Sequence, residues 1–195
     1  MPSQNPKIVL ASESSSRKQI LATILGYPFI THPTNIDESL HPNEDAQTAT
    51  MRLAAAKLKA AATNEAFNDH FIIAADTIGV VQNRLLNKTD DINLARQILR
   101  MLSGRRHMLL TAVWVRNPAG QMKGKLVKSK IKLKPLSENE IEQYLETREW
   151  QGKAGCYSIF GIAQKFFISI TGSPSAVMGL PAYETINLLK GLGLK

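Results

Sequence analysis

The chain has 195 residues, of which 44% are apolar and 21% are charged, and this is the composition of an ordinary globular protein. Its length suits one compact domain with a substantial core, and no window approaches the roughly 18 consecutive apolar residues of a membrane span. A single cysteine, Cys156, excludes an internal disulfide, and the N-terminus has too short an apolar run for a secretion signal. We therefore expect one domain over residues 1–195, located in the cytoplasm, with no membrane partner.

The formal net charge of +8 suggests an anionic partner, which could be a nucleic acid, a nucleotide or a membrane surface. Much of this excess lies in one predicted strand, where lysines occupy every second position and mostly apolar residues lie between them. These lysines are Lys128, Lys130, Lys132 and Lys134. We favour a half-buried strand with a solvated lysine face over a nucleic-acid patch, because no aromatic residue is interleaved to stack on bases. Nucleic acid is therefore not the expected partner.

Strands and helices alternate along the predicted order of elements. Short strands are predicted at residues 7–11 and 28–31, with a helix between them that ends at Gly26. An alanine-rich helix capped by Asp45 precedes a strand at residues 70–81 that Asp76 interrupts. The remaining elements are a helix at 91–102, strands at 107–115 and 124–133, a helix capped by Ser137 and Glu140, a strand within 152–172 and a helix at 181–193. Because two central strands are adjacent in the chain, the predicted class is α/β with a central mixed sheet flanked by helices.

The stretch LASESSSRKQIL, residues 10–21, connects the first predicted strand to the first helix. Free backbone N–H groups and the helix dipole favour an anion at such a junction, and serine hydroxyls with the Arg17 guanidinium add donors. A serine-rich helix cap with exposed basic residues explains the stretch equally well. The familiar phosphate-binding loops, G-x-x-x-x-G-K-[ST] and G-x-G-x-x-G, are absent, and the four histidines lack metal-ligand spacing.

Acidic residues elsewhere in the chain favour the anion site over the simple cap. Asp76 directly follows the apolar run FIIAA, so the sequence predicts a carboxylate at the end of a buried strand. A carboxylate there is costly unless it caps a helix, binds a metal or acts as a base. The stretch IDE adds Asp37 and Glu38 in a loop. Cations around two acids suit a polyphosphate with a divalent metal, because Mg²⁺ takes one or two carboxylates together with phosphate oxygens.

Seven sequence blocks occur in one order between Ile8 and Gly193. They are LASESSSRKQIL, IDE, RLAAAK ending at Lys57, AADT, NK ending at Lys88, LSGRRH, and KAGCYSIFG followed by GLP. Together these blocks closely resemble the Maf family of nucleoside triphosphate pyrophosphatases, also described as septum-formation inhibitors.

The resemblance implies an elongated α/β domain with a substrate cleft, often dimeric, that hydrolyses a nucleoside triphosphate to monophosphate and pyrophosphate with a divalent metal, Mg²⁺ or Mn²⁺. By this resemblance, Asp76 matches the family's catalytic aspartate and would share the metal with Glu38. Thr77 matches a position tied to base choice, where threonine is similar to the branch that acts on dTTP and UTP. The other matches to phosphate- and metal-facing residues are Ser12, Arg17, Lys57 and Lys88.

Three departures from the family pattern concern substrate choice. Ser15 and Ser16 stand where the family's SPRR has its proline and first arginine. Phe160 stands where the family has the glutamine of GIQG, and GSPSAVMGLP replaces a stretch that usually has Tyr and Asn. We therefore expect Ser16 and Phe160 to relax base selection, because phenylalanine can stack or fill space but cannot pair with a base edge.

These observations predict a pyrophosphatase that acts on dTTP- or UTP-like or modified nucleotides. Asp76 would orient or deprotonate the attacking water, while Arg17, Lys57 and Lys88 would hold the triphosphate in line and stabilise the leaving pyrophosphate. The alternative is a catalytically weak or inactive protein of the same fold that binds nucleotides or nucleic acid. The charge of +8 and the arginine lost at Ser16 support this alternative.

Overall fold

The computed structural model describes residues 5–82, 84–86 and 88–194, so Asn87 of the NK block lies outside them. The strands are β1 (Ile8–Leu10), β2 (Ile30–Thr31), β3 (Phe71–Val81), β4 (Arg84–Leu86), β5 (Arg106–Arg116), β6 (Met122–Leu133) and β7 (Phe167–Thr171). The α-helices are α1 (Ser15–Leu25), α2 (Ala46–Ala62), α3 (Ile92–Leu102), α4 (Glu138–Glu146), α5 (Pro174–Val177) and α6 (Ala182–Gly191). Within these described ranges, no helix is long and apolar enough to cross a membrane.

These strands pair in one sheet in the order β2-β1-β3-β5-β6-β7, and β4 pairs with β3. Strand β1 runs parallel to both of its neighbours, with Val9 opposite Ile30 on β2 and opposite Ile72 on β3. Strand β4 is antiparallel to β3, and β7 is antiparallel to β6. The sheet is therefore mixed and helices flank it, which confirms the predicted α/β class. The single domain over residues 1–195, its elongated shape and its cleft stay predictions.

The described chain divides into two compact units. The first contains the residues up to Asp76, Thr111–Val127 and the residues from Gly179 onward, and it includes a core cluster in which Leu58 of α2 joins Val9 and Ile72 of the sheet. The second contains Thr77–Leu110 and Lys128–Met178. Its core cluster includes Leu99 of α3, Leu109 of β5, Tyr144 of α4 and Phe166. Each unit therefore buries apolar side chains of both sheet and helix.

The caps predicted from sequence define where the helices begin and end. Asp45 Oδ1 accepts hydrogen bonds from the backbone N–H groups of Gln47 and Thr48, at 2.8 and 3.1 Å, at the start of α2. At the end of α1, Gly26 has a φ of 72°, the left-handed conformation that glycine adopts most easily. The capping box of Ser137 and Glu140 is present at the start of α4. These local signals predict the limits of the helices well.

The lysine-rich strand has the two faces that its sequence predicts. On β6, Ser129 and Ile131 are each 1% exposed, whereas the alternating Lys128 and Lys130 are exposed to solvent. The ends of Lys128 and Lys130 therefore point away from the core, as expected for a half-buried strand protected by charge.

Candidate active site

Asp76 lies in the middle of β3, so the prediction that it ends a strand is wrong. Strand β3 runs from Phe71 to Val81, and Gly79, beyond the aspartate, pairs with β4. The aspartate is only 2% exposed, and a buried carboxylate is costly unless a cation neutralises it. Lys57 supplies that cation, since its Nζ atom lies 2.6 Å from Asp76 Oδ1. The strand can therefore continue through a charged residue.

Lys57 comes from the buried face of α2. Ala49, Leu53 and Lys57 follow at intervals of four residues, so they share one face of the helix, and all three are buried. Lys57 itself is 5% exposed. A lysine on an apolar helix face can bury its aliphatic stem while its ammonium group reaches a carboxylate. The packing of α2 thus delivers the cation to Asp76.

Glu38 brings a second carboxylate to the same ammonium group. Its Oε1 atom lies 2.7 Å from Lys57 Nζ, and its side chain is 47% exposed. Lys57 therefore joins a buried carboxylate, that of Asp76, to one that reaches solvent. The two acids that the sequence places in one site do meet at one cation.

Arg17 is buried at the start of α1, and its hydrogen bonds fix the guanidinium. Nε donates to the carbonyl oxygen of Gly179 at 2.8 Å, and Nη1 donates to Ser12 Oγ at 3.3 Å. Burial lowers the pKa of Arg17, while the negative charges of Asp76 and Glu38 oppose that shift. The guanidinium thus interacts electrostatically with both acids of the site. We call the set formed by Arg17, Glu38, Lys57 and Asp76 the charged cluster.

The serine-rich stretch combines features of both sequence-based interpretations. Ser14 caps α1, because its Oγ accepts from the backbone N–H of Arg17 at 3.4 Å. Ser12 is buried, and its Oγ accepts from the backbone N–H of Ser14 at 3.2 Å as well as from the Arg17 guanidinium. The predicted serine cap is therefore present, but Arg17 is buried, whereas the cap interpretation predicted exposed basic residues. Ser16, predicted to affect base choice, is half-buried on α1.

Arg52, which was not among the residues predicted for the site, organises the loop that carries Glu38. The Arg52 guanidinium binds both carboxylate oxygens of Glu44, at 2.6 and 2.7 Å, and donates to the carbonyl oxygen of Ser39 at 2.9 Å. The hydrogen bond to Glu44 is the largest of the effects that raise the pKa of Arg52. A signal was available, because Arg52 opens the RLAAAK block that ends at Lys57.

Three residues predicted for the site belong to the second unit. Thr77 is buried and directly follows Asp76 on β3. Lys88 is exposed beyond β4, and Phe160 is 63% exposed in the segment between α4 and β7. That these side chains act on the same nucleotide as the charged cluster stays a prediction.

The buried cysteine and the most deeply buried histidine have structural surroundings. Burial raises the pKa of the Cys156 thiol to about 12, so it is not a thiolate nucleophile near neutral pH. Burial lowers the pKa of His107 to about 4, and its Nε2 atom lies 2.6 Å from Tyr157 Oη. This histidine therefore has the surroundings of a structural residue.

The donor set of the charged cluster fits a cation that arrives with phosphate. Within residues 5–82, 84–86 and 88–194, no three His, Cys, Asp or Glu side chains are grouped to hold a metal. Asp76 and Glu38 offer two carboxylates around one ammonium group. Mg²⁺ is commonly bound by one or two carboxylates, with substrate phosphate and water as its remaining ligands. The residues present fit this arrangement and do not fit a metal held by protein alone.

The chain resembles known proteins over nearly its whole length. The family model described as Maf-like protein matches residues 7–192. The dTTP/UTP pyrophosphatase of Hyphomonas neptunium (strain ATCC 15444) is 42% identical over 195 residues and 100% of both chains. That of Rhodopseudomonas palustris (strain BisB5) is 40% identical over 192 residues, 96% of this chain and 93% of the relative. The solved structure of a HAM1 protein from Coxiella burnetii covers 95% of this chain and 98% of its own at 14% identity, with a TM-score of 0.49.

Proposed function

The chain belongs to the Maf-like protein family, and we propose on that basis that it hydrolyses nucleoside triphosphates to monophosphate and pyrophosphate, with dTTP- and UTP-like nucleotides as its substrates. The observation that carries the proposal is the pair formed by Asp76 and Lys57, a buried carboxylate 2.6 Å from a buried ammonium group. Burying a carboxylate costs free energy, and carboxylates buried in this way are typical of catalytic sites. The enzyme is a hydrolase acting on an acid anhydride.

In the proposed reaction, Asp76 orients a water molecule and takes its proton as the oxygen attacks the α-phosphorus. A new bond forms between that oxygen and phosphorus, and the bond to the oxygen bridging the α- and β-phosphates breaks. Pyrophosphate leaves with the electrons of that bond. Arg17, Lys57 and Lys88 hold the triphosphate in line and stabilise the charge on the leaving group, and such positioning supplies most of the catalysis in phosphoryl transfer.

We include a divalent cation, Mg²⁺ or Mn²⁺, as the cofactor. The charged cluster contains two cations and two anions, so its formal charges cancel. A triphosphate would therefore bring negative charge that the cluster by itself does not offset. Asp76 and Glu38 would hold the cation, which neutralises phosphate charge and polarises the phosphoryl oxygen when bound.

Base selection in this proposal depends on Ser16, Thr77 and Phe160. Threonine at position 77 resembles the dTTP/UTP branch of the family, whereas Ser16 offers only a hydroxyl in place of a guanidinium and Phe160 offers no polar group to reject a wrong base. We therefore expect flatter discrimination among nucleotides than in enzymes that read the base through arginine and glutamine. The protein would work in the cytoplasm as a single nucleotide-binding domain, as a monomer or a homodimer, and would remove surplus or non-standard nucleotides.

A second function, nucleotide or nucleic-acid binding without turnover, is favoured by one observation. The formal charge is +8 while the charged cluster is neutral in sum, so the excess lies elsewhere, including the exposed Lys128 and Lys130. Binding that depended on those lysines, in the absence of hydrolysis, would support this second function.

The test is release of pyrophosphate from dTTP, UTP, CTP, GTP and 7-methyl-GTP, each with and without Mg²⁺ or Mn²⁺. The proposal predicts metal-dependent release of one pyrophosphate per monophosphate, with a modest preference for dTTP and UTP. The double substitution Ser16→Arg with Phe160→Gln should raise the rate on dTTP and UTP selectively. Nucleotide binding with no pyrophosphate from any substrate would instead support the second function.

A further inference from the structure

Phe160 has a solvent-exposed ring, and hydrogen bonds hold the backbone on both sides of it. The ring is 63% exposed, and the neighbouring Ile162 is 47% exposed, so two large apolar side chains face solvent within one short segment. Adjacent exposed apolar side chains often mark a binding surface, particularly on a loop that a rigid scaffold positions.

Two side chains from the region of α4 hold the loop of residues 158–162. The hydroxyl of Tyr144, a residue with no exposed surface, accepts from the backbone N–H of Ser158 at 3.3 Å. Oε2 of Glu149 accepts from the backbone N–H of Ile162 at 2.9 Å. Both ends of the loop are therefore fixed, and Phe160 lies between the two attachment points.

Gly161 makes the contact with Glu149 possible. A Cβ atom at position 161 would lie 1.9 Å from Glu149 Oε2 and 2.5 Å from its carboxylate carbon. The φ of Gly161 is −104°, which any residue can adopt, so the glycine is needed for the space its missing side chain leaves. The carboxylate packs directly against the backbone next to Phe160.

We infer that Glu149 is a positioning residue that holds Phe160 in place to stack on the nucleobase of the substrate. The inference rests on the proposed function for the identity of the ligand. A phenyl ring offers no hydrogen bond, so the partner that suits it is a flat aromatic group. A loop fixed before binding loses less conformational entropy when the base stacks, and this should appear as affinity for the base.

Binding, rather than turnover, gives the direct test. The two ligands are α,β-imido-dUTP, which carries a base and resists hydrolysis, and inorganic tripolyphosphate, which has no base. Titration calorimetry should show Phe160→Ala weakening the first ligand by roughly 5- to 150-fold, the range for loss of one base–aromatic stack. Glu149→Ala should weaken it by about fivefold, as for one lost hydrogen bond of about 1 kcal/mol. Neither variant should change the affinity for tripolyphosphate by more than about twofold.

Matched variants distinguish positioning from general damage. Glu149→Gln retains an oxygen that can accept from Ile162 N–H and should bind both ligands like the parent. Gly161→Ala should behave like Glu149→Ala, because the added methyl group meets the end of a flexible side chain and displaces the carboxylate. The double variant Glu149→Ala with Phe160→Ala should bind α,β-imido-dUTP no more weakly than Phe160→Ala alone, because Glu149 acts through the ring.

Equal weakening of both ligands by Glu149→Ala, or additive losses in the double variant, would overturn the inference. A parent that hydrolyses dTTP but binds α,β-imido-dUTP independently of Phe160 would overturn this inference and leave the proposed hydrolysis standing. A parent that shows the predicted binding pattern but releases no pyrophosphate would overturn the proposed hydrolysis and leave the role of Glu149 standing.

Discussion

Burial decides how much a lysine such as Lys57 contributes to the stability of the folded protein. Lys57→Ala would leave the 2%-exposed Asp76 without the ammonium group that lies 2.6 Å away. Breaking a buried ion pair typically costs about 3–5 kcal/mol, whereas the exposed Lys130 should change the free energy of unfolding by less than about 0.5 kcal/mol when replaced. Urea denaturation of both alanine variants measures this difference.

Substitutions at Lys57 and Lys130 also distinguish a localised phosphate site from a diffuse basic surface. Lys57→Ala, and Lys88→Ala in a separate variant, should reduce pyrophosphate release far more than Lys130→Ala does. If all three variants lost the same fraction of activity, the basic surface of β6 would be the binding site and the charged cluster would not.

Individual residues also show where prediction from sequence succeeds and where it fails. Asp76 could be identified because its charge directly follows an apolar run, and Lys57 could be identified because it ends a block that resembles the Maf family. That β3 continues unbroken through Asp76 could not be predicted, because a charge normally interrupts a strand and only the folded chain brings the compensating ammonium group. Glu149 was missed for a related reason, since its role depends on the space left by Gly161.

The contribution of the Asp45 cap to the stability of helix α2 can be tested by substitution. Asp45 accepts from two backbone N–H groups and from the Thr48 hydroxyl, and it begins the helix that carries Lys57. Asp45→Ala should lower the free energy of unfolding by about 1 kcal/mol, within a usual range of about 0.5–2 kcal/mol. Asp45→Asn retains an acceptor and should cost much less. Equal losses in the two variants would mean that the cap does not stabilise α2.

Elements with strong local signals were predicted, and those without them were not. Helices α1, α2 and α4 have caps that can be read in the chain, and the long strands have runs of apolar residues. Strand β4, helix α5 and the short 3-10 helices were missed, because they are too short to show periodicity. In the glycine-rich segment before β7, contacts such as that between Glu149 and Ile162 set the conformation, and sequence periodicity does not reveal them.

Acid should destabilise the whole molecule in part through His107. Burial lowers its pKa to about 4, against roughly 6.5 in an unfolded chain. Between these values the unfolded state binds more protons, so the free energy of unfolding falls as the pH drops from about 6.5 towards 4. The parent should lose about 1.5 kcal/mol between pH 6.5 and 5 through this group.

The control for this acid effect is His107→Gln, which does not titrate and can still form a hydrogen bond with Tyr157. Its free energy of unfolding, measured in urea at the same two pH values, should change by about 1.5 kcal/mol less than that of the parent. A parent and variant with the same pH dependence would show that His107 does not carry the effect.

In the proposed reaction hydrolysis depends on Asp76, and the substitution Asp76→Asn tests that role. The amide retains the shape of the side chain but cannot take a proton or bind a cation as an anion, while Lys57 keeps Glu38 as a partner at 2.7 Å. Pyrophosphate release from dTTP with Mg²⁺ should fall by about 10²–10⁴-fold, as for loss of a general base, in a variant whose circular dichroism spectrum matches that of the parent. Turnover within a few-fold of the parent by the folded variant would show that Asp76 is not the general base.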